Sequence, residues 1–170
     1  MSTAGFSTPE LPAKGIIEPL GDDDRQLLSS YGEFLPVHDR QVLIEEGHTQ
    51  NSLFFVISGT LHATTQRSGR QVLLGKIGPG ETIGEINIFH PGLASATVTA
   101  VEFSQVWRID RQSLEEFMNA SALPAAHLLI GVANCRRCQL KASIIVSSCP
   151  LSLIDQPYFC AAKRKPRRQS

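Results

Sequence analysis

In this sequence of 170 residues, no long hydrophobic run, signal-peptide pattern or disulfide framework is evident. No apolar run approaches the roughly 20 residues that span a bilayer. The N-terminus has neither the charged region nor the apolar region of a secretory signal. Four cysteines, all late in the chain, do not make a disulfide framework for a protein of this size. The sequence therefore predicts a cytoplasmic protein that does not enter a membrane.

An excess of charge of one sign is also missing. Sixteen Lys and Arg residues balance sixteen Asp and Glu residues, so the whole chain does not favour a polyanionic partner. Only the C-terminal end is locally basic, and we interpret it as a solvated tail. A helix-turn-helix DNA reader needs two further helices, and only about 20 residues follow Pro150. DNA binding is therefore not expected.

Motifs for catalysis are likewise absent. The chain has no Gly-x-Ser-x-Gly and no ordered Ser/His/Asp grouping for nucleophilic chemistry. It also has no His-x-His pair, which a cupin-like metal enzyme would need, so that reading stays a remote alternative. Cys135 and Cys138 form a Cys-x-x-Cys, but a zinc site would need two more ligands, and we interpret both as small apolar residues. We predict a protein that is not an enzyme, without a metal or cofactor.

What the chain does have is a series of short apolar segments separated by glycines. They predict strands over residues 35–38, 41–45, 52–58, 60–66, 71–77, 97–100 and 104–109. Strands of this number and spacing favour an antiparallel sandwich or jelly roll. A short helix is predicted over residues 25–31, and Asp110 is predicted to cap another. Pro124 suits the first turn of a longer helix, which over residues 128–145 would carry Leu128, Val132 and Ile145 on one side.

These patterns divide the chain into three parts. Residues 1–15 are rich in Ser, Thr, Pro and Gly and predict a flexible arm. Residues 16–148 would form one domain that includes both C-terminal helices. Residues 149–170 mix proline, aromatic and basic residues and predict a disordered tail.

The stretch from Gly84 to Val98 is the most informative in the chain. Gly84-Glu85 precedes a short apolar segment, and Ser95-Ala96-Thr97-Val98 closes it. This pattern resembles the phosphate-binding cassette of the cyclic-nucleotide-binding domain family. Residues 43–47, 53–61, 77–85 and 106–114 resemble further motifs of that family in the same order. The resemblance implies a mainly β fold, a jelly-roll sandwich with one N-terminal and two C-terminal helices.

The resemblance also implies a ligand site, at Gly84, Glu85, Ile86, Ser95, Ala96 and Thr97. In the family, the glutamate aligned with Glu85 accepts a hydrogen bond from the ribose 2′-hydroxyl, and the residue aligned with Ser95 donates its backbone N–H to the phosphate. Free N–H groups at the start of the short helix would also favour an anion.

One position departs from the family pattern, because Ala94 stands where the family carries its phosphate-binding arginine. Losing such a charge-assisted hydrogen bond costs about 1.5–3 kcal/mol, or roughly a 10- to 100-fold loss of affinity. We therefore expect cyclic AMP or cyclic GMP to bind weakly or not at all.

Two functional hypotheses follow. The first is a non-enzymatic regulatory or sensor module with an altered or vestigial cassette, whose ligand is a cyclic nucleotide or another small anion. The second is an interaction module that binds no small molecule and docks a protein partner or a second copy through the helix over residues 128–145.

Overall fold

Ten β-strands and four α-helices make up residues 10–134, the part of the chain that the computed structural model describes. The strands are β1 (Glu33–Val37), β2 (Val42–Ile44), β3 (Thr49–Gln50), β4 (Ser52–Ser58), β5 (Leu61–Arg67), β6 (Arg70–Ile77), β7 (Thr82–Ile83), β8 (Gly92–Leu93), β9 (Thr97–Ala100) and β10 (Ser104–Asp110). The helices are α1 (Asp22–Ser29), α2 (Glu85–Phe89), α3 (Arg111–Ala120) and α4 (Ala122–Asn134). A 3-10 turn, Gly15–Ile17, precedes α1.

Eight of the strands pair into two antiparallel sheets. The first sheet has the order β1-β10-β4-β7 and the second has the order β2-β9-β5-β6, while β3 pairs with β8. Neighbouring strands are mostly distant in sequence, which is the connectivity of a jelly roll. The predicted fold class, a mainly β jelly roll with flanking helices, is confirmed.

Strand β4 lies between two hydrophobic cores. Leu53 and Phe55 point to a core that the first sheet shares with the helices, together with Trp107 of β10. Phe54 and Val56 point to the core between the two sheets. Because both faces are buried, β4 is a continuous apolar run instead of an alternating one.

The helical core also takes in residues that precede α1. Leu11 is only 4% exposed and packs in this core, although the sequence placed it in a flexible arm over residues 1–15. A single leucine among polar residues and prolines gives no periodic signal, so its anchoring was not visible in the sequence. Trp107 donates its indole N–H to the carbonyl oxygen of Ser29 at 3.3 Å, which ties β10 to the end of α1.

Most predicted elements are found, with small shifts. The strands predicted over residues 52–58 and 97–100 are confirmed to the residue, whereas the two-residue strands β3, β7 and β8 were missed. Helix α1 begins at Asp22, three residues before the prediction, since its acidic residues form the first turn. The predicted cap is confirmed, because the Asp110 carboxylate accepts a hydrogen bond from the N–H of Ser113 at 2.9 Å.

The second C-terminal helix begins at Ala122, so Pro124 lies in its first turn as predicted. Its predicted portion beyond residue 134, the Cys135 and Cys138 pair and the tail over residues 149–170 lie outside the described residues. No helix within residues 10–134 is long and apolar enough to cross a membrane.

Gly131 of α4 provides a test of this packing. A Cβ at this position would overlap the carbonyl oxygen of Ile16 in the N-terminal turn. We expect Gly131→Ala to lower the free energy of unfolding by about 1–3 kcal/mol, although alanine in a helix interior normally adds about 1 kcal/mol. Urea unfolding measures this, with Gly75→Ala as control because a Cβ there meets no atom within 4 Å. A gain in stability for Gly131→Ala would contradict the described contact.

Candidate functional site

Gly84 sets the geometry at the start of the cassette-like segment. Its φ of 86° is in the left-handed region, and a Cβ there would overlap the carbonyl oxygen of Ser52 on β4. Both the backbone conformation and the close approach therefore require glycine. The carbonyl of Gly84 accepts a hydrogen bond from the N–H of Ile88 at 3.0 Å, and this bond begins α2.

Glu85 follows directly as the first residue of α2. Its side chain is only 2% exposed, which is rare for a carboxylate. Ile88, one turn later, packs in the helical core, whereas Ile86 is 40% exposed. Of the predicted site residues in this segment, Gly84 and Glu85 are thus held against β4 and Ile86 faces outward.

The tail of the cassette-like segment, Ala94 to Thr97, is fastened to the turn that follows β2. The N–H of Ala94 donates to the carbonyl of His48 at 2.8 Å, and the N–H of Gly47 donates to the carbonyl of Ala94 at 2.8 Å. The N–H of Glu46 donates to the hydroxyl of Thr97 at 3.1 Å. The tail thus has a fixed backbone position, with Ser95 exposed and Ala96 partly buried.

The side chain of Ala94 lies in an apolar environment. It is 6% exposed and belongs to the core between the sheets, whose members also include Ile44 and Val98. The position at which the resemblance places an arginine is therefore occupied by a small apolar side chain in an apolar environment. Such a position offers no charge to an anion.

Glu46 is a carboxylate at this site that the sequence placed only in a turn motif. Its Oε1 accepts a hydrogen bond from the Thr65 hydroxyl at 2.6 Å, and its Oε2 accepts one from the N–H of Gln66 at 3.0 Å. These two bonds, and the charge of Arg67, lower the pKa of Glu46, while burial acts in the opposite direction. Glu46 is therefore ionised at neutral pH. Its hydrogen-bond partners lie 19 and 20 residues away in the sequence, so no local sequence pattern predicts these bonds.

Helix α2 itself contributes little positive potential. It has five residues, so few peptide dipoles align toward its start. The short length of α2 therefore weakens the expectation that its N-terminus favours an anion. At the other end of α2, Arg111 donates to the carbonyl of Phe89 at 3.1 Å and pairs with Glu115 at 2.8 Å. That guanidinium links α2 to α3.

Two cavities described in the structure lie away from these residues. One of about 350 Å³ lies between the N-terminal turn, the segment before β7 and α4, and one of about 240 Å³ lies beside Arg108 and Asp110. Neither is lined by the six predicted ligand residues. Within residues 10–134, no group of three or more His, Cys, Asp or Glu side chains could hold a metal ion.

The family model described as the cyclic nucleotide-binding domain matches residues 35–121, just over half of the chain. The potassium channel KAT1 of Arabidopsis thaliana is 34% identical over 98 residues, which are 57% of this chain and 14% of the channel. This chain therefore corresponds to a small part of that relative.

Among solved structures, the N-terminal domain of a transcriptional regulator from Streptomyces coelicolor A3(2) is similar with a TM-score of 0.67 and 25% identity. The similarity covers 81% of this chain and 98% of that domain. A cyclic nucleotide-binding domain from Methylobacillus flagellatus KT has the same fold, with a TM-score of 0.67 and 17% identity over 79% of this chain and 78% of its own.

Replacing Gly84 tests whether its contact with β4 shapes the segment. Gly84→Ala adds both an unfavourable φ and an overlap with Ser52, so we expect it to lower the free energy of unfolding by about 2–4 kcal/mol. Gly69→Ala is the matched control, because its φ is 74° and a Cβ there meets nothing within 4 Å. That control should lose only about 1–2 kcal/mol. Equal losses in urea unfolding would show that the Ser52 contact is unimportant.

Proposed function

The chain belongs to the cyclic nucleotide-binding domain family, and from that premise we propose that it is a non-enzymatic regulatory or sensor module. Its ligand site would be formed by Gly84, Glu85, Ile86, Ser95, Ala96 and Thr97. The observation that carries this proposal is the backbone geometry of the cassette-like segment. Gly84 is pressed against β4, and the tail is hydrogen-bonded to the turn after β2.

The arrangement of the helices supports a role in signalling. Arg111 connects the end of α2 to α3, and α3 leads directly into α4. A ligand that moves α2 would therefore act on α3 through this guanidinium. Such a ligand shifts the helices only to the extent that it binds one of their positions more tightly than the other.

The matched proteins support the same role. The relatives named above include a potassium channel and a transcriptional regulator, and this chain corresponds to 14% of the first and to an N-terminal domain of the second. A domain shared by such different proteins is expected to sense a signal or to regulate, while other parts of each protein carry out the response. Which output this chain controls would depend on its partner.

Restoring the missing cation tests the site directly. We expect wild-type protein to bind cyclic AMP and cyclic GMP weakly and Ala94→Arg to bind one of them roughly 10- to 100-fold more tightly, because a guanidinium grips phosphate oxygens. Titration calorimetry measures the affinities, and circular dichroism checks the fold of the variant.

Leu93→Arg is the matched control for this experiment. It adds the same charge one residue away, on a side chain that is 67% exposed. A similar gain in affinity for both variants would indicate general electrostatic attraction instead of a specific contact with the phosphate. If Ala94→Arg folds and gains no affinity, the segment does not place a cation at the phosphate position.

A second function is favoured by the outer surface of α4. Leu123 and Ile130 are 70% and 58% exposed, and Ala126 and Ala133 lie on the same stripe. The opposite side of α4 packs in the helical core, and the helix has no Asp, Glu, Lys or Arg. A helix that carries large apolar residues on opposite sides is normally covered on both. We propose that a second copy of the chain covers this stripe, since an uncharged surface pairs well with itself.

Size measurements test this dimer. We expect wild-type protein to sediment as a dimer at micromolar concentration and Ile130→Glu to sediment as a monomer, because a buried unpaired carboxylate is costly. Leu73→Glu is the control, as Leu73 is an exposed leucine on β6, away from α4. A wild-type protein that stays monomeric at about 100 μM, far above a micromolar dissociation constant, would exclude the dimer.

A further inference from the structure

The charges around the cassette decide what kind of ligand this site can hold. Ala94 is the first of three observations. Its side chain is 6% exposed among apolar residues, so a phosphate placed against it would lose water without gaining an opposite charge. An uncharged group at the same place would carry no such penalty.

The second observation is the carboxylate of Glu46. The backbone N–H of Glu46 is bonded to Thr97 of the tail, and its side chain is fixed by Thr65 and Gln66. Glu45, next to it on the same turn, is also acidic and lies 3.4 Å from His48. A fixed negative charge beside the tail repels a phosphate and leaves a neutral ligand unaffected.

The third observation concerns the basic side chains near the cassette. Arg67 is exposed and contributes to the lowered pKa of Glu46, whereas Arg111 donates to Phe89 and pairs with Glu115 at the far end of α2. The start of α2 adds little, because the helix has five residues. Of these two arginines, Arg111 is thus engaged by acceptors away from the tail.

Features that suit the uncharged parts of a nucleotide are retained. The carboxylate of Glu85, 2% exposed at the start of α2, is an acceptor of the kind that binds sugar hydroxyls. On β6, Val72 lies directly opposite Thr65, the residue that holds Glu46, and is 38% exposed. An exposed apolar side chain in this position offers a surface on which a flat base can rest.

We propose that the ligand of this site is an uncharged nucleoside, a ribose with its base and without a phosphate. The inference rests on the proposed function, because it names the ligand class of the same site. Ala94 and Glu46 would act together as specificity-determining residues. Ala94 leaves the phosphate position without a cation, and Glu46 places a negative charge beside the tail.

The test compares nucleosides with the corresponding cyclic nucleotides by titration calorimetry. Adenosine and guanosine are the probes, against cyclic AMP and cyclic GMP in the same low-salt buffer. We expect wild-type protein to bind one nucleoside at least about 10-fold more tightly than its cyclic nucleotide, the size of effect that one charged contact has on affinity.

Glu46→Gln removes the charge while its amide oxygen still accepts the hydrogen bond of the Thr65 hydroxyl. The bond from the N–H of Gln66 to the second oxygen is lost, so circular dichroism checks the fold of this variant. We expect this variant to raise cyclic nucleotide affinity roughly 3- to 10-fold while nucleoside affinity changes by less than about 2-fold, and the gain should shrink in high salt. Glu102→Gln, an exposed residue beyond the opposite end of β9, makes the same charge change and should have no such effect.

The outcomes distinguish this inference from the proposed function. Cyclic nucleotides that bind wild-type protein as tightly as nucleosides, or more tightly, overturn the inference and leave the sensor function standing. If neither class binds wild-type protein, Glu46→Gln or a folded Ala94→Arg variant, both the inference and the proposed ligand site are wrong.

Discussion

Burial of β4 on both faces is the constraint on which the rest of this structure depends. One face holds Trp107 and the helices, and the other holds the second sheet. The same strand begins with Ser52, whose carbonyl lies close against Gly84 and whose hydroxyl accepts a hydrogen bond from Arg108 at 3.2 Å. The strand that organises both cores therefore also positions the candidate site.

The backbone of the site and its charges lead to different conclusions. The backbone around Gly84 and the tail has a geometry that depends on contacts with β4 and with the turn after β2. The charges differ from what a phosphate needs, because Ala94 is apolar and Glu46 is negative. The fold by itself therefore does not determine the ligand, which depends on the side chains at the site.

Features produced by local interactions could be predicted from the sequence, whereas features produced by contacts between residues far apart in the chain could not. Strand β4 and the Asp110 cap could be read from the sequence, since a long apolar run and a cap residue are local signals. The strands β3, β7 and β8 have two residues each and exist only because a partner strand lies beside them. The anchoring of Leu11 and the bonds of Glu46 depend on residues far along the chain, so local patterns could not show them.

The position of Trp107 has a consequence for how this protein can be observed. It is the only tryptophan in the chain, it is 1% exposed, and its indole N–H is bonded to the last residue of α1. Its side chain lies in the core shared with the helices and not in the core between the sheets. Intrinsic fluorescence of the unlabelled protein thus reports the packing of the helical layer and is insensitive to direct quenching by a molecule held at the tail of the cassette.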